Sequence, residues 1–275
     1  MSTPSITQAV AASIAAKLPK GFKAGGIDDS LPKYLHCLIY GPTGSYKTVT
    51  AAEFGGPERT LIIGTRDIEQ YKVPLEGKGY HPVVLAHDVE TFKWATTNPE
   101  AAADAAEFPE WKGLEDRVLV VDDWTEGALM LVDDNETNDD GKEIKDGRKI
   151  YGGVKEDVRI VLNALKRRRM HVIFTALTKE DDWALYPAMP KGAQDHIEAA
   201  FDYVFYMDKE FKKMKTEPFS MPYPSKDQFG KEITRLRKGF AKKKEPRDLA
   251  GKLIGKEEPM ELAALWTKIC NARTK

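Results

Sequence analysis

The chain has 275 residues, 41% hydrophobic and 31% charged, with a formal net charge of −1. That is apolar material enough for one large α/β domain, and it excludes a chain disordered throughout. No apolar run reaches the eighteen or so residues of a membrane span, and the two cysteines, Cys37 and Cys270, make neither a disulfide framework nor a metal-ligand spacing.

Taken from the N-terminus, residues 1–30 read as an extension. Ile6 to Leu18 is Ala-rich but has no basic flank before it and is interrupted by Lys17, so it does not read as a signal peptide. A cytoplasmic protein of a reducing compartment, not associated with a membrane, is expected. Short apolar runs then punctuate the chain: Tyr34–Tyr40, Thr60–Gly64, Pro82–Ala86, Val118–Val121, His171–Leu177 and Asp202–Met207. Their length and their β-branched and aromatic content predict strands buried on both faces, as in a parallel sheet. Between them lie helical patterns at Lys47–Phe54, Val89–Thr97 and Gly153–Arg169. In the last, Val158, Val161, Leu162 and Leu165 form one apolar stripe. Strand–helix alternation of this kind predicts an α/β fold, a mostly parallel sheet flanked by helices.

Asp133 to Gly147 is acidic and turn-rich. As a calcium loop with Gly141 at the sixth position it fails, because Gly147 stands where a bidentate Glu is required. A solvated loop is the expectation. A second loop, Thr178 to Gly192, carries Lys179, Trp183, Tyr186 and Lys191. The run Lys166–Arg169 ends a helix, where cations suit the dipole, and reads as solvated surface. After Asp208 the sequence turns Pro/Gly/Lys-rich, with one alternating strand pattern at Glu232–Lys238 and a final amphipathic helix at Met260–Ala272. From Tyr206 to Lys275 there are 18 Lys+Arg against 10 Asp+Glu, leaving the first 205 residues at 24 against 33. A basic C-terminal portion on an acidic body suits a polyanionic partner, and equally two surfaces of one protein that attract each other.

The most informative segment is Gly41-Pro42-Thr43-Gly44-Ser45-Tyr46-Lys47-Thr48, directly after a predicted strand and opening a predicted helix. A phosphate-binding loop needs inward backbone N–H groups, a Lys reaching the β- and γ-phosphates and a hydroxyl on Mg²⁺, all at a helix N-terminus. Gly41, Lys47 and Thr48 stand in the right places of G-x-x-x-x-G-K-[ST]; Tyr46 stands where the second glycine belongs. Tyr46 is expected to keep ordinary, near-helical backbone angles and to leave its ring partly exposed at the site mouth. The alternative is a plain strand-to-helix turn. The strand Val118–Val121 ends in Asp122 and Asp123, where phosphate-loop enzymes hold the Mg²⁺ shell and orient water. A helix cap is the competing reading of Asp123.

These motifs, in this order, resemble the RecA-like recombinase ATPases, and most closely the small phage-encoded RecA-like ATP-binding proteins linked to single-strand annealing. The likeness runs from about Tyr34 to Leu249. It also takes in the strand Leu61–Gly64 with acidic residues after it, the Tyr-Gly-Gly helix entry at Tyr151–Gly153, the strand HVIFTAL and the basic strand Ile233–Lys238. The resemblance implies a RecA-like nucleotide-binding domain over residues 31–249, with 250–275 a helical tail. It implies ATP and Mg²⁺ as cofactors, bound by Gly41–Thr48, with Thr48 and Asp122 on the metal and Lys47 and Asp123 in catalysis. It implies a water-activating carboxylate after the second strand, for which Asp67 is the candidate and Glu69 the reserve, and a γ-phosphate sensor at Thr175. Leu177 is apolar where a polar group is expected, which with Tyr46 points away from fast hydrolysis. The loop after HVIFTAL implies contact with single-stranded DNA through Lys179, Trp183, Tyr186 and Lys191, aromatics stacking and lysines meeting phosphates; packing of both aromatics under the loop is the alternative. Arg237 and Lys238 stand where such proteins reach a neighbouring subunit's nucleotide, in a ring or filament. Two functions follow: an oligomeric ATPase acting on single-stranded DNA in recombination, repair or replication, or a nucleotide-gated scaffold with little turnover and a protein partner.

Overall fold

The computed structural model describes residues 33–80, 83–137, 142–180, 184–190, 196, 200–208, 213–242 and 254–273. The described residues from Tyr34 onward belong to one compact unit, and the expected N-terminal extension, residues 1–30, lies outside the described residues.

In chain order the elements are β1 (His36–Gly41), α1 (Lys47–Gly55), β2 (Thr60–Gly64), α2 (Ile68–Leu75), β3 (Val84–Leu85), α3 (Val89–Thr97) and α4 (Pro99–Ala105), then a short 3₁₀ turn. There follow β4 (Val118–Asp122), α5 (Trp124–Asn135), α6 (Gly147–Lys166), β5 (His171–Glu180), β6 (Ala184–Pro187), β7 (Tyr203–Asp208) and β8 (Lys213–Lys215). Last come β9 (Phe219–Lys226), β10 (Glu232–Gly239), β11 (Glu257–Pro259) and α7 (Leu262–Arg273). The sheet runs β11-β8-β7-β1-β5-β4-β2-β3. From β7 to β3 every pairing is parallel, while β8 and β11 add an antiparallel margin. This is the α/β class that the alternation of elements predicts.

Side chains alternate across the sheet, and the two faces have separate cores. Leu38, Tyr40, Leu61, Leu119, Val121, Val172 and Phe174 face α3, α5 and α6 through Phe92, Trp124, Leu131 and the stripe Val158, Val161, Leu162 and Leu165. Cys37, Ile39, Ile62, Val118, Val120 and Ile173 face α1, α2 and α7 through Ala51, Ala52, Tyr71, Leu262, Leu265 and Ile269. The helix read as a C-terminal tail is therefore part of the α1-side core. Burying Leu262, Leu265 and Ile269 contributes roughly 1.5–3 kcal/mol each.

Two elements differ from the sequence expectation for local reasons. Helix α6 starts at Gly147, capped by Asp146, which accepts from Arg148 N at 3.0 Å. Tyr151–Gly153 thus lies inside the helix, where a Cβ on Gly153 would fall 1.7 Å from Asn135 Oδ1 and force that side chain to move. The long acidic loop shortens to the span between α5 and α6, and its described residues are mostly exposed. The loop expected from Thr178 is in part a hairpin: β5 runs on to Glu180 and β6 returns antiparallel, Thr178 opposite Pro187 and Lys179 opposite Tyr186. At the helix end, Arg168 is tied to Glu100 and to the Thr97 carbonyl rather than simply solvated.

Candidate nucleotide site

Strand order decides what meets at the C-terminal edge of the sheet. β5 lies between β1 and β4, so the ends of β1 and β4, at Gly41 and Asp122, converge on Thr175 in the middle of β5. The chain leaves β1 toward the face covered by α1 and leaves β4 toward the face covered by α5. Such a divergence opens a crevice at the carboxyl ends of the strands, where ligands of parallel sheets bind. Alternation puts Asp122 and Thr175 on the α1 side.

At this edge Gly41 to Tyr46 bridges β1 and α1. Gly41 permits close approach to β7: a Cβ there would meet the Met207 carbonyl oxygen at 2.6 Å and Ser45 Oγ at 2.9 Å. Gly44 adopts φ 74°, a conformation that glycine takes without steric cost. Lys47, 8% exposed, folds into the loop and donates from Nζ to the Gly41 and Pro42 carbonyls, each at 2.9 Å, and to Ser45 Oγ at 3.4 Å. Burial pulls its pKa down to about 8, against the pull of Asp123 and Asp122. Tyr46 overturns one expectation. It is the N-cap of α1 with φ 64° and ψ 18°, in the left-handed region, not near-helical. The loop geometry that a glycine normally supplies is kept, and Tyr46 carries it at a steric cost of roughly 1–2 kcal/mol. Its ring, 54% exposed, does lie open at the mouth.

Opposite the loop stand the two carboxylates. Asp122, 4% exposed, accepts from Thr48 Oγ1 at 3.0 Å on Oδ2 and from Thr175 Oγ1 on Oδ1. Its carbonyl oxygen accepts from Tyr71 Oη on α2 and from Thr65 N. Asp123, 1% exposed, caps α5 by accepting from Thr125 N at 2.6 Å, and it pairs with Arg66. Asp123 thus caps a helix and also lines the cavity. Burial raises its pKa to about 6, with Arg66 pulling down and Asp122 pushing up.

Thr43 to Val49, Arg66, Pro74, Asp122 and Asp123 enclose a cavity of about 350 Å³. A loop with inward-folded Lys, a hydroxyl and a carboxylate at its floor fits a Mg²⁺–polyphosphate. Thr48 and Asp122 are oxygen donors of the hard kind that Mg²⁺ takes, and when bound the ion would neutralise phosphate charge. Lys47 would exchange its loop carbonyls for phosphate oxygens, and α1 would supply its N-terminal N–H groups.

The remaining expected residues fall elsewhere. Asp67 is exposed at the N-cap of α2 and does not line the cavity; Glu69 is exposed and paired with Lys72 at 2.6 Å. Lys179 is exposed on β5 and Tyr186 half-buried on β6, whereas Trp183 and Lys191 lie outside the described residues. Arg237 pairs with Glu180 at 2.6 Å and stacks on the Tyr223 ring at 4.2 Å, and Lys238 is exposed. Arg66 and Tyr71 are the contributors that sequence reasoning passed over. Among the described residues no helix is long and apolar enough to cross a membrane.

No curated protein matches the sequence. Among solved structures the chain is similar to an ATPase from the type III secretion system of pathogenic bacteria, at 16% identity and a TM-score of 0.45, covering 64% of this chain and 52% of that one. The chain thus spans about half the length of that ATPase. A KaiC-like protein from the hyperthermophilic archaeon Pyrococcus horikoshii is similar at 16% identity and a TM-score of 0.33, covering 74% of this chain and 78% of the other. The model of the AAA domain matches residues 33–236, a span that holds the phosphate loop, Arg66 and both carboxylates. By that match, the chain belongs to the AAA domain family of P-loop ATPases.

Proposed function

We propose that this protein is a Mg²⁺-dependent ATPase that works as an oligomer with single-stranded DNA, in recombination, repair or replication, as the phage-encoded proteins it resembles would. The observation that carries the nucleotide half is the meeting of Lys47, Thr48 and Asp122 in one cavity at the sheet's carboxyl edge. The DNA half is supported by β5 itself. The strand that holds Thr175 against Asp122 runs five residues further into the β5–β6 hairpin, where Lys179 stands opposite Tyr186. Next to β6 lies β10 with Arg235, Arg237 and Lys238. A ligand on that hairpin pulls on the same strand that touches the metal carboxylate.

Turnover of ATP with and without a labelled single strand tests the reading. Stimulated hydrolysis is expected, with binding that weakens as salt rises because phosphate contacts release counterions. Salt-insensitive binding, or none, would remove the DNA half.

The second reading, a nucleotide-gated scaffold with little turnover, is favoured by Asp123. It is the cavity's second carboxylate, yet it is committed to a helix cap and to Arg66, while Asp67 stands outside. Tight ATP binding without measurable hydrolysis, with or without DNA, would select it.

A further inference from the structure

The cations lining the phosphate cavity are Lys47 and Arg66. Lys47 is anchored by three loop oxygens, but Arg66 is held differently. It follows β2 by two residues; Gly64 at the end of β2 is in register with Asp122, so Arg66 reaches across to Asp123 on the next residue of the neighbouring strand's path. Its side chain is 26% exposed against 1% for Asp123, and among the described residues its guanidinium makes no other bond.

The carboxylate end of this pair is fixed. Asp123 Oδ1 accepts from Thr125 N, the Asp123 amide donates to Thr65 Oγ1 at 3.0 Å, and its carbonyl accepts from the same hydroxyl at 3.1 Å. Arg66 is the partner free to leave. The charges around the cavity balance, two cations against two carboxylates, so a bound polyphosphate adds negative charge next to Asp123 that the resting arrangement does not offset. A guanidinium fork has donors to spare and matches phosphate oxygens in pairs. Its position at the carboxylate end matters, because Thr48 and Asp122 would hold the Mg²⁺ there and the ion would neutralise phosphate charge on that side of the cavity. With Lys47 and the loop taking the inner phosphates, the phosphate that would reach Arg66 is the terminal one.

Building on the nucleotide-binding reading, we infer that Arg66 is a triphosphate latch: it pairs with Asp123 and transfers to the terminal phosphate when a nucleoside triphosphate binds. It gives the site its preference for triphosphate over diphosphate. Asp123, released from Arg66, keeps its place as the helix cap.

The test is equilibrium binding of ADP and of a non-hydrolysable ATP analogue, each with Mg²⁺, to the full chain and to Arg66→Ala, Asp123→Asn and the double variant. Arg66→Ala is expected to weaken the triphosphate analogue by about 10- to 100-fold, the size of a charge-assisted hydrogen bond, with ADP nearly unchanged. Asp123→Asn keeps a cap oxygen but cannot hold Arg66, so it is expected to raise the preference for triphosphate. In the double variant that gain should vanish, because only Arg66 conveys it. Mere removal of a negative charge would give the same gain in both backgrounds and would overturn the inference, as would equal weakening of both nucleotides by Arg66→Ala. Should Arg66→Ala fail to fold, Arg66→Lys keeps a cation opposite Asp123 and loses the fork. It too must narrow the preference for triphosphate, and an unchanged preference overturns the latch. Failure of the parent protein to bind either nucleotide would instead refute the nucleotide site itself.

Discussion

Thr48 and Asp122 are 74 residues apart in the chain, and Thr48 Oγ1 lies 3.0 Å from Asp122 Oδ2. With Thr175 Oγ1 on its other oxygen, Asp122 accepts one hydroxyl on each carboxylate oxygen. Asp122→Asn is expected to leave nucleotide bound and to lower Mg²⁺-dependent turnover, because an amide cannot neutralise the metal. Asp122→Ala is expected to cost stability as well, about 1–3 kcal/mol, since it orphans the fully buried Thr175 hydroxyl. Urea melts alongside turnover assays separate the two effects. An Asn variant with parental turnover would remove Asp122 from the metal site.

Lys47 gives a different pattern. Burial draws its pKa down to about 8, and the ammonium bonds the loop rather than either core. Lys47→Ala is expected to abolish ATP binding while leaving the unfolding midpoint nearly unchanged. Calorimetric titration with ATP and a thermal melt check the two halves. Retained affinity would return Gly41–Thr48 to a plain turn.

The legible part of this protein was the part written locally. The phosphate loop is eight consecutive residues, and β4 is an apolar run ending in two acids, so both could be read without knowing their neighbours. Arg66 could not, because its importance comes from the β2–β4 register that brings it to Asp123. The resemblance implies a carboxylate after β2, which points to Asp67 and past Arg66. The strand β9 was hidden by Pro222 and Pro224, which argue against a strand. They are tolerated because, among the described residues, β9 pairs only with β10, and residues two apart turn the same way, toward the edge away from β10. Trp266, Leu265 and Ile269 show an amphipathic helix but not its destination, which is set by packing against α1 and against the His171 and Tyr203 rings.

Acid should weaken the fold through His171. Its Nδ1 accepts from Leu35 N at 2.9 Å, and the ring meets Tyr34, Phe54 and Trp266 edge-on. Burial lowers its pKa to about 4; Asp116 pulls the other way, and His36 and Arg59 add to the lowering. The unfolded state binds the proton more readily, so this contribution is intact above about pH 6.5 and is lost as pH falls toward 4. Asp123 acts with the opposite sign, since its folded pKa near 6 lies above the unfolded value and its charged form is disfavoured in the fold. His171→Asn keeps an acceptor for Leu35 and removes the titration. Its melting temperature is expected to fall less than the parent's between pH 7 and pH 4.5. Parallel pH profiles would show that His171 is not the cause.

Tyr46 offers the sharpest stability prediction, because its cost is in the backbone and its ring is open to solvent. A non-glycine residue in the left-handed region costs roughly 1–2 kcal/mol, and φ 64° with ψ 18° places Tyr46 there. Replacing it with glycine removes that steric cost but frees the unfolded chain, which returns about 0.4–1 kcal/mol. Tyr46→Gly is therefore expected to stabilise the protein by up to about 1 kcal/mol, a rise of about 1–4 °C in melting temperature for a domain of this size. Nucleotide affinity should persist, since the loop N–H groups and Lys47 are unaltered. Tyr46→Ala separates the ring from the backbone: it keeps the strained conformation and should lose the gain. A melting temperature lowered equally by both substitutions would mean that the exposed ring packs in a way that outweighs the strain, and the left-handed cap would then not be the controlling feature of the loop.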